Sequence, residues 1–400
     1  MALFILLMAT SLPWSSCRSK NTFRIGLAGA STGIFYISWQ AFYEGAQLAA
    51  TEINSQGGVL GRPVELFPTD DQVKVDIGVS EMKKLILRDK VHIVVGGSAS
   101  HVAAAQSDLA LRYQVPFIIG NCNSAILAED KGHRYLFQLT PSSRMEAHAL
   151  AIFIANQDWK RLCYIMPDYE WGHTFKKVIS EKLSELAPKI EVLAEFWPKI
   201  DESEYTSYIT AIQAKNPDAV VNGLGGASLI NFTKQAIGYG LFESTPVIGQ
   251  YDLNNLKALG QDMPEGVIGF HRGAFFSVPG EHMEEFVKKF RTAYKGEYPT
   301  AYSVFGYEAI HMARLAAEKA GTLENLELIV DALSTLHFES PKGNVYFRNY
   351  HNQSNASVYI GFTQHSQYPF LTYRDTLTIS AEETWPTIDV VRALRQTAGR

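Results

Sequence analysis

Small polar side chains gather where the apolar runs of this 400-residue chain stop. HIVVGG runs into Ser98-Ala99-Ser100, PFIIG into Asn121-Cys122-Asn123, and PVIG into Gln250-Tyr251-Asp252. Hydroxyls and primary amides hold a small polar molecule by hydrogen bonds, and an amide both donates and accepts. The stretch Asp168-Tyr169-Glu170-Trp171-Gly172 adds two large aromatics to a connecting loop, an unusual place for them unless they line something. Bond-making chemistry finds no matching set. GGSAS has Ser100 where a nucleophile elbow needs its second Gly, and NGLGGAS has Ser228 where a dinucleotide fingerprint needs its last. The chain carries no Walker A, H-E-x-x-H or C-x-x-C motif, and His337, His351 and His365 lack ligand spacing. Asp70-Asp71 reads as a strand-end pair that caps the next helix or sits on a solvated rim. The expectation is binding without catalysis, metal or cofactor.

Those positions need a scaffold of strands covered on both faces. FRIGLA, PVELFP, VHIVVG, PFIIG, RLCYIM, IEVLAEF, AVVNG, PVIGQ and GVIGF are mostly continuous rather than alternating apolar runs. Helical patterns separate them, over 75–87, 102–113, 145–157, 172–186, 205–215 and 228–239. In YEGAQLAATEIN, Ala46, Ala49, Ala50 and Ile53 form one face, and Gly57-Gly58 supplies the stop. Strict alternation predicts an α/β protein with parallel sheets. The third strand's small polar end then lies at the carboxyl edge, where open α/β sheets bind ligands.

Four hundred residues suit two lobes rather than one core. The composition is 46% hydrophobic and 19% charged, ordinary for a folded soluble protein. A net charge of -5, with no basic run longer than two, argues against a nucleic-acid partner. Ala2–Leu12 is apolar apart from Thr10 and Ser11: too short to span a bilayer, and the right length for a signal-peptide core. Ser15-Ser16-Cys17 resembles a lipoprotein cleavage box, with Trp14 in the usual aliphatic position, so export with Cys17 as the candidate lipidation site is expected. Cys122 and Cys163 are placed in different lobes as buried free thiols.

The order FRIGLAGAST, Glu44-Gly45-Ala46, INSQGGVLGRPVEL, Asp70-Asp71, SAS, YEWG and SPKGNVYFRNYHNQS resembles one family over about residues 23–377. It is that of the extracytoplasmic solute-binding proteins of ABC importers, in the branched-chain amino acid (Leu/Ile/Val), amide and aromatic-acid group. The resemblance implies a two-lobe type I periplasmic binding fold, each lobe a mostly parallel sheet flanked by helices, with the ligand cleft between them. It implies a first lobe of 23–140 plus about 275–338, and a second of 141–274 plus about 343–378. The crossings fall at 140–143, between 250 and 274, and near 340–343, the last sending 345–348 to the second lobe.

By the same resemblance, Ser98 and Ser100 belong to a ligand-binding loop in which Ser100 meets a ligand carboxylate while doubling as the N-cap of its helix, and Asn121 and Asn123 supply polar contacts. Tyr169 and Trp171 form an aromatic wall, to which Tyr36 and Trp39 are candidate additions. Gln250, Tyr251 and Asp252 stand where Leu/Ile/Val binders pair the ligand ammonium with an acid. Tyr251 occupies that position here, and Asn222–Ser228 lacks the family's tyrosine, which favours a bulkier or aromatic carboxylate over an α-amino acid. The implied partners are a small-molecule ligand and the permease and ATPase subunits of an importer. The implied location is the periplasm or the outer face of the cytoplasmic membrane, with membrane contact only through a lipid anchor. A ligand-sensing regulator of the same fold is the alternative.

Overall fold

The computed structural model describes residues 21–199 and 201–399; the apolar leader and Cys17 lie outside the described residues. β1 (Phe23–Ala28), α1 (Tyr36–Ser55), β2 (Val64–Pro68), α2 (Val75–Lys83), β3 (Ile93–Gly96), α3 (Ser100–Tyr113) and β4 (Phe117–Ile119) alternate strictly. The short α4 (Ala125–Ala128) and β5 (Leu136–Gln138) follow. These five strands make one parallel sheet in the order β2-β1-β3-β4-β5. Ile93, Val94 and Val95 are fully buried, because helices cover both faces of β3. β5, with only three residues, lies inside a stretch that composition marks as loop.

A second series builds the other lobe: α5 (Ser143–Ala155), β6 (Arg161–Ile165), α6 (Glu170–Leu186), β7 (Glu191–Phe196), α7 (Thr206–Lys215) and β8 (Ala219–Asn222). It continues through α8 (Gly226–Gly238), α9 (Leu241–Ser244), β9 (Val247–Gly249), α10 (Leu253–Leu259) and β10 (Ile268–His271). The chain then adds α11 (Glu281–Ala293), α12 (Ala301–Ala320), α13 (Leu326–Ser334) and a hairpin, β11 (His337–Ser340) and β12 (Gly343–Tyr346). β13 (Val358–Gln364) and β14 (Thr372–Ile379) join the second sheet antiparallel, giving seven strands in the order β14-β13-β10-β9-β8-β6-β7. Two short helices follow, α14 (Ala381–Thr384) and α15 (Ile388–Thr397).

The last crossing differs from the sequence expectation. Residues 345–348 do not enter the second lobe: Val345 and Phe347 pack into the first-lobe core, with the Phe347 ring 5.0 Å from that of Phe137. Gln353 bridges Gln138 at the end of β5, so the chain crosses only between Ser354 and Val358. KGNVYF has strand character, and nothing local says which sheet will take it.

The first lobe depends on a close helix crossing. A Cβ on Gly45 of α1 would stand 1.8 Å from the Ser303 carbonyl oxygen of α12, and one on Gly306 would stand 1.9 Å from that of Phe42. Backbone meets backbone there, so neither position has room for a side chain. Gly306→Ala is expected to cost at least the 1–3 kcal/mol typical of overpacking, roughly. Urea unfolding measures this; an unchanged midpoint would mean the two helices part freely.

Candidate ligand-binding cleft

At the first-lobe edge, Gly96 (φ 120°) and Gly97 (φ 83°) turn the chain sharply after β3. A Cβ on Gly96 would lie 2.2 Å from the Ala28 oxygen, so the turn requires glycine. The turn delivers Ser98, whose hydroxyl donates to Asp71 at 2.5 Å. Asp71 also accepts from the Val73 N–H at 2.9 Å. It is therefore neither a helix cap nor a rim residue: it is fully buried, and burial pushes its carboxyl up. Ala99, not Ser100, occupies the N-cap of α3, and no side chain caps that end. Ser100 is the first helical residue and stays partly exposed. The uncapped start of α3 favours an anion.

The next loop is laced onto the same turn, with the Asn121 N–H donating to the Gly96 oxygen at 3.3 Å and that of Cys122 to the Gly97 oxygen at 3.2 Å. The Asn121 side chain is buried, and its Oδ1 has no protein partner. Asn123 reaches the second lobe, its Nδ2 donating to Glu146 Oε2 at 2.6 Å. Cys122 and Cys163 are both buried and free, and burial pushes the Cys122 thiol up to about 12.

From the second lobe, Tyr169, Trp171 and Phe175 form a stack along the start of α6. Ring centroids are 6.4 Å apart for Tyr169–Trp171 and 4.5 Å for Trp171–Phe175. Trp171 is the buried middle member, and Tyr169, 39% exposed, is the outer one. Asn222 accepts from the Leu224 N–H at 2.8 Å, and its Nδ2 is buried without a protein partner. The sequence reading, which noted only that this loop lacks the family's tyrosine, missed that donor.

Tyr251 is a correction. Its side chain is fully buried in the core, its hydroxyl 2.9 Å from that of Thr233, and it offers the cleft nothing. Trp39 is another: it is buried against Phe42 at 5.6 Å, while Tyr36 stands in solvent.

Asp252 belongs to a cluster organised by Arg272, which the sequence reading did not single out. The guanidinium donates from Nε to Glu146 Oε1 at 2.7 Å and from Nη2 to Glu146 Oε2 at 3.3 Å. Nη1 lies 3.8 Å from Asp252 Oδ2 and donates to the Tyr302 hydroxyl of α12. Gln250 donates to Asp252 at 3.2 Å, and the Arg272 N–H does so at 3.4 Å. Asn123, Gln250 and Asp252 thus meet around one buried arginine, whereas Ser98 is committed to Asp71. Burial pushes the carboxyls of Glu146 and Asp252 up, against the pull of Arg272. Burial opposes the arginine's charge too, but Glu146, Tyr302 and Asp252 together hold it above its ordinary value. The cluster therefore holds two carboxylates for one guanidinium.

The match to known proteins agrees with this arrangement of sheets and strand ends. Residues 22–364 match the family model described as periplasmic binding protein. The chain belongs to that family. It is 24% identical over 222 residues to the Leu/Ile/Val-binding protein homolog 4 of Brucella abortus (strain 2308), which covers 53% of this chain and 51% of the relative. The aligned chain thus spans about half the length of that relative. It is 23% identical over 335 residues to the leucine-, isoleucine-, valine-, threonine-, and alanine-binding protein of Pseudomonas aeruginosa, covering 82% of this chain and 86% of the relative. Among solved structures, a solute-binding protein of an ABC transporter from Rhodopseudomonas palustris BisB5, in complex with 3,4-dihydroxybenzoic acid, superposes with a TM-score of 0.81 at 22% identity. That superposition covers 90% of this chain and 98% of the other. The family's type I fold is the one described above.

Removing one partner from a buried ion cluster costs roughly 3–5 kcal/mol, because the other charge is left unpaired. Arg272→Met is expected to lose about that much at pH 8. The two orphaned carboxyls, already raised by burial, rise further, so they take up protons in the folded state as pH falls. The deficit should therefore shrink at pH 5. Urea unfolding at both pH values reads this; an equal loss at each would mean the carboxylates do not depend on Arg272.

Proposed function

We propose that this chain is the substrate-binding component of an ABC importer, working outside the cytoplasm. It captures a hydrophobic α-amino acid between its lobes and hands it to a permease powered by a separate ATPase. The observation that carries this reading is the charge imbalance around Arg272. Glu146 engages the guanidinium through both oxygens, which leaves Asp252 only a 3.8 Å contact with it. A buried carboxylate so weakly compensated favours a ligand that brings its own cation. Across the cleft, the uncapped start of α3, with the Ser100 hydroxyl, suits a carboxylate, and the unpaired Asn121 oxygen can accept a ligand N–H. The stack headed by Tyr169 offers an apolar wall to the side chain. An ammonium, a carboxylate and a hydrophobic group thus each find a matching side.

The relatives named for leucine, isoleucine and valine support that class. The Rhodopseudomonas palustris structure holding 3,4-dihydroxybenzoic acid supports the second reading, an aromatic carboxylate without an ammonium. For that ligand the free Asn222 amide N–H would donate to the carboxylate, and the Asn121 oxygen would accept from a ring hydroxyl. Closure around either follows from differential affinity: a ligand that touches both lobes only in the closed form shifts the population toward it.

A thermal-shift panel of leucine, valine, phenylalanine and benzoate separates the two. A ligand at 100 times its dissociation constant adds about 2.7 kcal/mol, an easily read shift. Leucine or phenylalanine should stabilise the protein and benzoate should not, and Asp252→Asn should abolish the response. Benzoate alone giving the shift, unchanged in Asp252→Asn, would overturn the amino-acid assignment and leave the binding reading standing. No shift with any of the four would count against the substrate class as a whole.

A further inference from the structure

The segment after β14 lies beyond the stretch that matches the family model, which stops at residue 364. It leaves the second lobe at Ile379 and does not stay there. α14 packs on α5 of that lobe, and His148 Nδ1 lies 2.8 Å from the Thr384 oxygen. Its next partners belong to the first-lobe hairpin and the loop that follows it. The Tyr346 hydroxyl donates to Glu382 at 2.9 Å, Arg348 donates to the Pro386 oxygen at 2.7 Å, and the Trp385 indole N–H donates to the Ser354 oxygen at 3.2 Å. The Arg348 guanidinium also lies over the Trp385 ring at 4.9 Å. Ser354 is where the chain begins its own crossing between the lobes.

α15 carries the segment onto the first lobe and ends in an anchor. Arg395 donates to three backbone oxygens: Ala128 at 3.0 Å, Glu129 at 3.1 Å and Tyr350 at 3.0 Å. Two of these close the C-terminal end of α4, where helix carbonyls lack intrahelical partners and a cation is favoured. The receiving cradle is shaped for the guanidinium. A Cβ on Gly132 would stand 2.3 Å from Arg395 Nη2 and 2.2 Å from the Ala128 oxygen, so no side chain fits there. The residue that accepts Arg395 through its backbone also ties the lobes through its side chain: Glu129 accepts from Arg144 of α5 at 2.6 Å. Apolar burial along α15 is slight, with Val391 its one buried residue. The attachment to the first lobe therefore rests on directional contacts: those of Glu382, Trp385 and Pro386 with the hairpin and its loop, and the arginine fork at the far end.

From this geometry we propose that residues 380–397 are a strap, a fourth connection between the lobes that restrains the angle of the cleft. The other three crossings, at 139–143, between β10 and α11, and at 354–358, are chain segments that must bend whenever the lobes move. The strap is different, because its far end is held by hydrogen bonds and can let go. While Arg395 stays seated, rotation of the lobes pulls against the carbonyl cradle and the range of angles is narrow. When it leaves, only the contacts of Glu382, Trp385 and Pro386 with the hairpin and its loop remain beside the three covalent crossings, and the range widens. The consequence for ligand affinity rests on the binding function proposed above, but the angle itself does not.

Small-angle X-ray scattering on the ligand-free full chain, on Arg395→Ala, and on a chain stopped after Pro386 tests the strap without any ligand. Both variants should scatter with a larger radius of gyration and a broader distance distribution than the parent. Amide exchange at 139–142 and 354–357 should speed up, while the cores of both sheets stay protected. Superimposable scattering and unchanged hinge exchange in Arg395→Ala would overturn the proposal, whether or not the shortened chain folds. Leucine titration of the same variants then reads the coupling, with a change in affinity of about fivefold or more expected. Altered scattering with no leucine binding in any form would leave the strap intact and count against the substrate assignment.

Discussion

Arg272 stands at the end of β10, where a parallel strand delivers its chain to the cleft, and its side chain is only 5% exposed. A guanidinium cannot remain charged in such a place alone, so the surroundings are obliged to supply acceptors. They come from elements far apart in sequence: Glu146 from the first turn of α5, Asp252 from the loop after β9, and Tyr302 from the start of α12. The positions of three element ends are thereby referred to one planar fork. Because α12 packs in the first lobe and the rest in the second, the same fork spans the junction between them.

Polar contacts recur along that junction, beside an apolar cluster in which Leu48 of α1 and Val304 of α12 join second-lobe side chains, while the two sheets keep apolar interiors. Asn123 joins Glu146 and Glu129 joins Arg144 across it, and within the first lobe Lys342 at the hairpin turn lies 3.5 Å from the buried Glu308. Close-packed apolar cores resist deformation, so each lobe behaves as a unit. Hydrogen bonds and ion pairs at a seam are directional and exchangeable with water, and their net strength is modest because water competes for both partners. The division of labour suits a molecule whose parts must stay rigid while the angle between them changes.

Much of the scaffold was legible because its signals are local. Continuous apolar runs mark buried strands, and the breaks between them marked β1 to β4 and β6 to β10 with small errors at the ends. β5 was not legible, since three residues carry too little pattern, and the destination of β12 depends on a sheet it does not belong to. At the cleft, the hydroxyls and amides of the strand ends announce themselves by type, but Tyr251 shows how one residue of offset reverses a role. Along an extended segment successive side chains point to opposite sides. Tyr251 points into the core toward Thr233 and Asp252 points toward Arg272, a phase that sequence order alone does not reveal. Glu146 sits in the otherwise apolar run MEAHALAIFIA and Arg272 follows the strand GVIGFH, so each breaks a hydrophobic pattern without forming a motif. A lone buried charge identifies its partner only once the fold has brought the two together.

The carboxylate excess connects structure to binding in energetic terms. Asp252 is held near Arg272 without being satisfied by it, and burial has already raised the carboxyl's affinity for a proton. A ligand ammonium competes for the same place with a charge that, unlike a proton, comes attached to groups reaching the opposite lobe. Moving a two-state equilibrium from about 1:99 to 99:1 takes a differential affinity of roughly 10⁴. A group bound at one edge alone contributes nothing to that difference, because its contacts are the same whatever the angle. On the proposed reading, a ligand whose cation sits on Asp252 while its anion meets the start of α3 gains contacts as the edges approach. On that reading, the weakly compensated carboxylate on one side and the uncapped helix on the other form a matched pair for such a ligand.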